Sequence, residues 1–266
     1  MKLKTWGLAG LRRVLLSRGF EVVPLGQLNA WRSDAALSLK HRSLRMLPDD
    51  ELRRAVNLLD DSMSQLNQDL FVLHELGWKR DGFFVEFGAT DGRALSNTWL
   101  LEKRFGWTGI LAEPARRFHR ALENAGRDAA IDFSCVAARS GETAAFDEAS
   151  WGEFSTIARF TDADDHPRQV TSSYSVETVS LDDLLDRHRA PEVIDYLSID
   201  TEGSEYEILA AFDFARRRFR CITCEHNFTP NRERIHALLT RQGYERKFEE
   251  FSRFDDWYVL ANEDRR

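Results

Sequence analysis

The stretch Phe83-Phe84-Val85-Glu86-Phe87-Gly88-Ala89-Thr90-Asp91-Gly92 decides the fold. A short apolar run that stops at a glycine turn is typical of a buried strand with its carboxyl end in a loop. In an open α/β sheet, ligands bind just beyond these strand ends. Gly88 has no side chain to block a ligand from the backbone. Glu86 could accept a hydrogen bond, directly or through water, from a ligand's ammonium group.

Downstream of this turn, strands and helices alternate. Further strands are predicted at 109–112, 131–137, 193–199 and 219–224, with a closing pair at 244–251 and 256–261. Helices are predicted at 97–105, 114–124, 181–188, 205–212 and 230–241. Ser180 and Asp183 have the spacing of a capping box. The pattern predicts an α/β fold with a Rossmann-like sheet of seven strands, mostly parallel and covered on both faces.

The stretch 140–178 is polar and shows no regular period, so we expect an irregular segment that lies over the strand ends as a lid.

Upstream, residues 1–75 are predicted to be an N-terminal helical extension, and residues 76–266 the α/β domain. Apolar residues three or four apart favour one helix over 49–73, and Gly77 with Asp81-Gly82 ends it. Residues 1–20 combine basic and apolar side chains. We favour a helix packed on its own domain there over one bound at a membrane surface. No apolar run is long enough for a transmembrane span.

Composition limits the partners and the compartment. The chain has 266 residues and a net charge of -7, so it has no overall attraction for nucleic acid. Its three cysteines favour a reducing compartment, and the cytoplasm is the expected location. Cys221 and Cys224 form a C-x-x-C, but they lie within a predicted buried strand without a second cysteine pair. We therefore expect core residues in preference to a zinc or redox site.

Glu113 follows the second strand and lies 21 residues after Gly92. An acidic residue about 20 positions beyond a glycine turn is where ribose hydroxyls are held. A carboxylate offers two acceptor oxygens to two neighbouring hydroxyls. NAD is the competing ligand, but Asp91 would repel a pyrophosphate from the turn. The cationic groups of S-adenosylmethionine suit Glu86 and Asp91 better.

Two further polar motifs follow the fourth and fifth strands: Asp200-Thr201-Glu202-Gly203-Ser204-Glu205 and Glu225-His226-Asn227. Parallel strands end on the same side, so these motifs should lie beside the glycine turn. Asp200, Glu225 and Asn227 could supply oxygen ligands to Mg²⁺. His226 could be a general base. For Asp200 and Glu202, capping of the following helix is the alternative.

With these motifs in order, the sequence resembles the FkbM family of S-adenosylmethionine-dependent methyltransferases. The resemblance covers roughly residues 62–260. Its main matches are 84–92, Ser96-Asn97-Thr98, 106–109, Glu113-Pro114, 178–185, 194–205 and Glu225-His226-Asn227, and Ser64 to Asp69 resembles the segment that precedes the core in relatives. Two positions depart from the family pattern: Glu86 replaces a frequent Asp, and Ser198 stands where Lys is often found.

The resemblance implies methyl transfer to oxygen, commonly on sugars or natural products, so the predicted acceptor is a small molecule or a glycan. The predicted cofactor-binding residues are Glu86, Gly88, Ala89, Asp91, Gly92, Ser96, Glu113, Pro114 and Val136. Asp200 and His226 are the predicted catalytic residues. The rival hypotheses are an NAD-dependent oxidoreductase or epimerase, and a cofactor-binding or scaffolding protein without catalysis.

Overall fold

The computed structural model describes residues 25–164 and 168–261. Strands are numbered in chain order: β1 Phe83–Phe87, β2 Thr108–Ala112, β3 Ala130–Asp132, β4 Cys135–Ala137, β5 Thr143–Ala149, β6 Thr156–Ile157, β7 Val170–Ser180, β8 Val193–Ile199, β9 Arg218–Glu225, β10 Tyr244–Lys247 and β11 Asp255–Leu260. The α-helices are α1 Leu25–Ser43, α2 Asp49–Val56, α3 Gln68–Glu75, α4 Trp99–Phe105, α5 Arg116–Glu123, α6 Leu181–Arg187, α7 Glu205–Ala211, α8 Asn231–Arg241 and α9 Glu249–Ser252. Short 3₁₀ turns lie at Leu44–Met46, Gly152–Phe154 and Ala158–Phe160.

A seven-stranded sheet in the order β10-β11-β9-β8-β1-β2-β3 organises the α/β part. The five strands from β9 to β3 pair in parallel, and β11 is antiparallel to both of its neighbours. The predicted Rossmann-like, mostly parallel sheet is confirmed. Its central strands are apolar along most of their length because helices cover both faces.

The N-terminal segment helps to build one of these two layers. Leu66, Leu70 and Phe71 belong to the same buried cluster as Phe84 of β1 and Trp257 of β11. Phe71 stacks on Trp257 with ring centroids 4.9 Å apart. The division of the chain near residue 75 stays a prediction, and the residues on its two sides share a core.

The single helix predicted over 49–73 is wrong. Two helices, α2 and α3, form instead, and Asn67 before α3 has a left-handed φ of 62°. The intervening turn brings Ser62 and Ser64 onto the buried carboxylate of Asp69 at 3.0 and 2.8 Å. That pairing satisfies a buried charge, which a continuous helix would leave unpartnered. Val56, expected on the apolar face, is 48% exposed.

The strand predicted over 131–137 is two strands in different sheets. After β3 the chain turns at Asp132, whose Oδ1 accepts from the Ser134 amide at 2.9 Å. Cys135–Ala137 then pairs in parallel with β7, in a second sheet of order β4-β7-β5-β6. The segment 140–178 is therefore wrongly predicted as irregular, since 143–149, 156–157 and 170–178 form the antiparallel strands β5 to β7.

One further element differs from its prediction, and two local features agree with theirs. The strand predicted over 244–251 ends at Lys247, and Phe248 has a left-handed φ of 54° before α9. The Ser180 side chain caps α6 as predicted, accepting from the Asp183 amide. Cys221 and Cys224 are buried and unpaired core residues of opposite sheet faces, as expected for strand positions of odd spacing.

Residues 1–20, with the predicted basic amphipathic helix, lie outside the described residues. Across the part of the chain that is described, no helix combines the length and the apolar character that a membrane crossing requires.

Candidate active site

A cavity opens at the carboxyl ends of β1, β2, β8 and β9. Its volume is about 1110 Å³ including the part open to solvent. Five of the predicted cofactor-binding residues line it: Glu86, Gly88, Glu113, Pro114 and Val136. The parallel strands of the main sheet thus bring Glu86 and Glu113 together, and β4 of the second sheet adds Val136.

Glu86 anchors the loop that follows the glycine turn. Its Oε1 accepts from the Asn97 amide at 2.7 Å, and its Oε2 accepts from the hydroxyls of Ser96, at 2.9 Å, and Thr98. The carboxylate is 3% exposed, so these bonds satisfy it in a site with little water. Two carboxylate oxygens can accept about four bonds, which leaves one for a ligand in the cavity.

Gly88 is required by the protein itself as well as by any ligand. Its φ is +71°, and a Cβ built there would lie 2.1 Å from the carbonyl oxygen of Asp200. The turn after β1 therefore packs directly on the end of β8. A side chain at position 88 would force these two strand ends apart.

Glu113 clasps the same turn from the neighbouring strand. Oε2 accepts from the Thr90 amide at 2.8 Å and Oε1 from the Ala115 amide at 2.7 Å. Burial, with Asp200 and Glu148 nearby, raises the pKa of Glu113 to about 7 against the two backbone bonds. Each oxygen still has acceptor capacity, and the side chain lines the cavity.

The other four predicted cofactor residues do not line the cavity: Ala89, Asp91, Gly92 and Ser96. Asp91 Oδ1 accepts from the amides of Arg93 and Ala94 at 2.9 and 2.8 Å, which shapes the loop. A Cβ on Gly92 would lie 2.6 Å from Leu122 of α5, so this glycine allows close helix packing. Ser96 acts through Glu86. These residues therefore lie outside the cavity lining and support the loop that carries it.

The second sheet closes one side of the cavity with an apolar wall. The wall comprises Pro114, Cys135, Val136, Phe146 and Ile157. All but Pro114 are at least 94% buried. Part of the segment predicted as a lid thus lies against the cavity, as a strand-built wall. A flat apolar ring would fit beside it.

Three carboxylates meet on the other side of the cavity. One oxygen each of Asp200, Glu202 and Glu225 lie within 4.8 Å of one another, a spacing that could hold a cation. Burial raises the pKa of Asp200 to about 6, with repulsion from Glu205 and Glu86 adding to the shift, and burial and repulsion from Asp200 raise the pKa of Glu202 to about 9. A side-chain hydrogen bond joins Asp200 to Glu225, and burial and Asp200 raise the Glu225 pKa further. Two such groups in contact share one proton.

Arg168 compensates much of this charge. Its guanidinium binds Asp164 at two points, both 2.7 Å, and Glu202 at 2.5 Å. All three side chains are at most 5% exposed. Asn227, predicted as a metal ligand, instead approaches Asp164 and Glu202 with its amide nitrogen at 3.4 Å. These contacts use the amide nitrogen, whereas a metal would bind the amide oxygen, so the role of Asn227 as a metal ligand stays a prediction.

His226 lies beneath the site and does not line the cavity. Its Nδ1 accepts from the Phe228 amide at 2.9 Å, and its Nε2 lies 3.7 Å from Asp256. Burial lowers the pKa of His226. The predicted role as general base has no support in this geometry, because neither ring nitrogen reaches the cavity. The residue positions the chain at Phe228 instead.

Arg127 is a supporting residue that sequence reasoning missed. Its side chain is fully buried, pairs with Glu102 at 2.9 Å and donates to the Gly92 carbonyl at 2.6 Å. It also donates to the Thr98 hydroxyl at 2.8 Å, which in turn donates to Glu86. Arg127 therefore ties together both ends of the loop between Gly92 and Thr98. It stands after a helix-ending glycine, in no motif.

Gln65 and Gln68 were also missed as site residues, although the segment from Ser64 to Asp69 was singled out. Both line the cavity, and Gln68 donates to Asp255 at 2.8 Å. Burial raises the pKa of Asp255 to about 7, with Asp200 contributing. The N-terminal segment therefore supplies part of the site.

A family model, the methyltransferase FkbM domain, matches residues 86–252. The chain belongs to the FkbM methyltransferase family. The predicted resemblance is thereby confirmed, and the cavity at the strand ends is the candidate site of a methyltransferase. Among curated proteins, none matches the FkbM chain significantly.

Solved structures resemble this FkbM protein in part. One is a precorrin-6y C5,15-methyltransferase from Geobacter metallireducens, with 12% identity, a TM-score of 0.40, and coverage of 73% of this chain and 86% of that chain. Another is a candidate RNA methyltransferase from Pyrococcus horikoshii, with 9% identity, a TM-score of 0.36, and coverage of 74% and 82%.

Proposed function

We propose that this FkbM protein is an S-adenosylmethionine-dependent O-methyltransferase that acts on a hydroxyl of a sugar, glycan or other small natural product. One observation carries the proposal. The cavity joins a carboxylate with spare acceptor capacity, Glu113, to an apolar wall on one side and to acidic residues on the other. A nucleoside that bears a positive charge has ribose hydroxyls to match Glu113, a flat base to match the apolar wall, and cationic groups to match the acidic residues.

The residues present fit this cofactor. Glu113 would hold the ribose hydroxyls, and the wall formed by Pro114, Val136 and Phe146 would hold the base. Glu86 and the acidic end of the cavity would face the ammonium and sulfonium groups. When bound, the cofactor would supply an activated methyl group, carried on cationic sulfur, for transfer to the acceptor oxygen.

The chain's own residues would orient the two reactants and take up one proton. Asp200 is placed for that task because it lines the cavity and its pKa of about 6 leaves it ionised at neutral pH. Glu225, joined to Asp200 by a hydrogen bond, would carry the shared proton and hold Asp200 in position. A hydroxyl that approaches Asp200 would be oriented by donating to it.

The geometry favours this reading over NAD binding. A dinucleotide site needs a helix N-terminus directly after the glycine turn. Here the first helix after Gly88 does not begin until Trp99. The predicted exclusion of nucleic acid remains part of the proposal, supported by the net charge of -7. The three unpaired, buried cysteines support the proposed cytoplasmic location.

The three-carboxylate group does not fit Mg²⁺ as a required cofactor. Arg168 already neutralises Glu202 at 2.5 Å, and Asp200 and Glu225 are linked through a proton. A divalent ion would have to displace both the Arg168 guanidinium and the shared proton. Mg²⁺ loses its water ligands reluctantly, so these contacts would not repay that cost. We therefore propose proton uptake by Asp200 without a metal.

Calorimetric titration with S-adenosylhomocysteine and with NAD tests the cofactor. We expect saturable binding of the former and none of the latter; the reverse would overturn the proposal. A protein that binds S-adenosylhomocysteine but transfers no methyl to any member of a broad glycan and small-molecule panel would instead support the non-catalytic alternative.

Asp200→Asn tests the proton acceptor. Methyl transfer should fall by at least about a hundredfold, the usual size of general base catalysis, while the affinity for S-adenosylhomocysteine changes by less than about threefold. Glu207→Gln, on the exposed face of α7, is the control and should leave both unchanged. If affinity and turnover fall equally in Asp200→Asn, the residue belongs to the cofactor site.

A further inference from the structure

A second cavity adjoins the first. It has a volume of about 1090 Å³ including open solvent and shares Gln65, Phe154, Glu225 and Phe254 with the first cavity. Its outer part is formed by the loop between β9 and α8, with Asn227, Phe228 and Thr229. Gln65 and Phe254 lie outside the matched family region, whereas the loop lies inside it. A molecule in the second cavity would reach the first past Glu225.

Phe228 is held outward at the mouth of this second cavity. Its side chain is 71% exposed, the highest value among the large hydrophobic residues of the described chain, and its φ is +57°. The Phe228 amide donates to His226 Nδ1 at 2.9 Å, and the two rings meet edge to face at 5.4 Å. An exposed aromatic ring and a left-handed backbone are both unfavourable, and such features persist where a ligand uses them.

The polar groups of the second cavity can bond hydroxyls but have little net charge left. Asp164 is held by Arg168 at two points of 2.7 Å, and Glu225 shares a hydrogen bond with Asp200. Both carboxyl groups keep lone pairs that can accept further bonds. Gln65, Asn227 and Thr229 add amide and hydroxyl groups. Among the described residues that line this cavity, none is Lys, Arg or His.

These facts discriminate between classes of acceptor. An anionic group would meet carboxyl groups and would find no Lys, Arg or His among the described lining residues to pair with, which is costly in a site poor in water. A cationic group would find carboxylates that are already compensated by Arg168 or by a shared proton. A neutral ring with several hydroxyls has no charge to desolvate. Its hydroxyls can donate to the carboxyl oxygens of the cavity, and its apolar face can stack on an aromatic ring.

We infer that the second cavity is the acceptor site and that it binds an uncharged polyhydroxylated ring stacked on Phe228, with a hydroxyl directed past Glu225 into the first cavity. This inference rests on the proposed methyltransferase function. Phe228 supplies the platform, and Asp164 and Asn227 fix the orientation of the ring. His226 acts as a positioning residue, since it holds the Phe228 backbone.

The experiment uses the full-length protein loaded with S-adenosylhomocysteine. The probes are methyl β-D-glucopyranoside, -galactopyranoside and -mannopyranoside, and for each the matching uronate and 2-amino-2-deoxy glycoside. Binding is measured by saturation-transfer NMR with titration. We expect at least one neutral glycoside to bind at least about tenfold more tightly than its charged counterparts. A ratio of that size corresponds to a cost of about a kcal/mol or more for a buried charge without a partner.

Variants of the platform locate the site. Phe228→Ala should weaken binding of the neutral glycoside about tenfold, the size of one ring contact, while the affinity for S-adenosylhomocysteine stays within twofold. Phe228→Trp should restore glycoside binding. The control Val193→Ala removes an exposed hydrophobic side chain at the opposite end of β8 and should change neither.

Each other outcome is decisive. Glycoside binding that is equal in wild type and Phe228→Ala would overturn the site, and equal or tighter binding of a uronate or an amino glycoside would overturn the charge argument. Binding of S-adenosylhomocysteine with no glycoside bound would overturn this inference and leave the proposed function standing. Loss of both in the wild-type protein would overturn the proposed function itself.

Discussion

The affinity for the cofactor product should depend on pH through Glu113. Both of its oxygens already accept one backbone amide, from Thr90 and Ala115. To accept two ribose hydroxyls as well, both oxygens must keep acceptor capacity, which requires the ionised form. When Glu113 is protonated, one oxygen becomes a donor and one of the two hydroxyl contacts is lost.

The size of the effect follows from the pKa of about 7. A carboxyl with that pKa is about one-tenth ionised at pH 6 and about nine-tenths ionised at pH 8. The dissociation constant for S-adenosylhomocysteine should therefore be larger at pH 6 than at pH 8 by up to about tenfold, equivalent to at most about 1.4 kcal/mol, because the protonated form keeps one of the two contacts. Titration calorimetry at constant ionic strength, at half-unit steps of pH, measures this directly.

The variant Glu113→Gln should bind weakly at every pH and lose most of this dependence. Its amide nitrogen cannot accept from the backbone, so it should also lower the free energy of unfolding by about 1–3 kcal/mol. Asp255 lines the same cavity and also has a pKa of about 7, so Asp255→Asn is the matched control. An affinity that is flat between pH 6 and 8, or a dependence that Asp255→Asn and not Glu113→Gln removes, would refute the assignment of Glu113 to the ribose.

Two further predictions concern the support of the site and the metal. Arg127→Met should lower the free energy of unfolding by about 3–5 kcal/mol, because it leaves the buried Glu102 carboxylate without its partner, and should weaken S-adenosylhomocysteine binding; chemical denaturation and calorimetry measure both. Lys103→Met removes a more exposed partner of Glu102 and should cost less. Mg²⁺ titrated into the protein at neutral pH should show no site tighter than millimolar, and EDTA should leave methyl transfer unchanged; a stoichiometric site at micromolar concentration would restore the metal hypothesis for Asp200, Glu202 and Glu225.

Much of the fold could be predicted because its signals are local. The strand before Gly88, the capping by Ser180 and the alternation of strands with helices each depend on residues close in sequence. The errors arose where side-chain hydrogen bonds or strand pairing, and not the apolar spacing, decide the structure. Asp69 draws in Ser62 and Ser64 and breaks the predicted helix, and pairing with β7 takes Cys135–Ala137 away from the main sheet.

The site was predictable at its strand ends and not beyond them. Glu86, Glu113 and Asp200 follow strands, and parallel topology alone brings them together. Arg127 and Gln65 reach the site through tertiary packing, which no spacing in the sequence reveals. His226 had the chemistry of a base, but the backbone after β9 turns its ring toward the Phe228 amide, and only coordinates show that orientation.

The buried carboxyl groups connect stability to function. Glu113, Asp200 and Asp255 have pKa values of about 7, 6 and 7, raised mainly by burial. A carboxyl whose pKa is raised on folding stabilises the folded protein fully below its unfolded pKa, and this stabilisation is lost as pH rises through the folded pKa. The ligand-free protein should therefore lose stability between about pH 5 and 8.

A cationic cofactor opposes that trend, because it favours the ionised form of Glu113. Binding must then release protons in the range where the free carboxyls are still partly protonated. At pH 6 the heat of binding should consequently vary with the ionisation enthalpy of the buffer, and at pH 8.5 it should not. The acidic cavity that destabilises the empty protein near neutral pH is thus what gives the positively charged ligand its advantage over NAD.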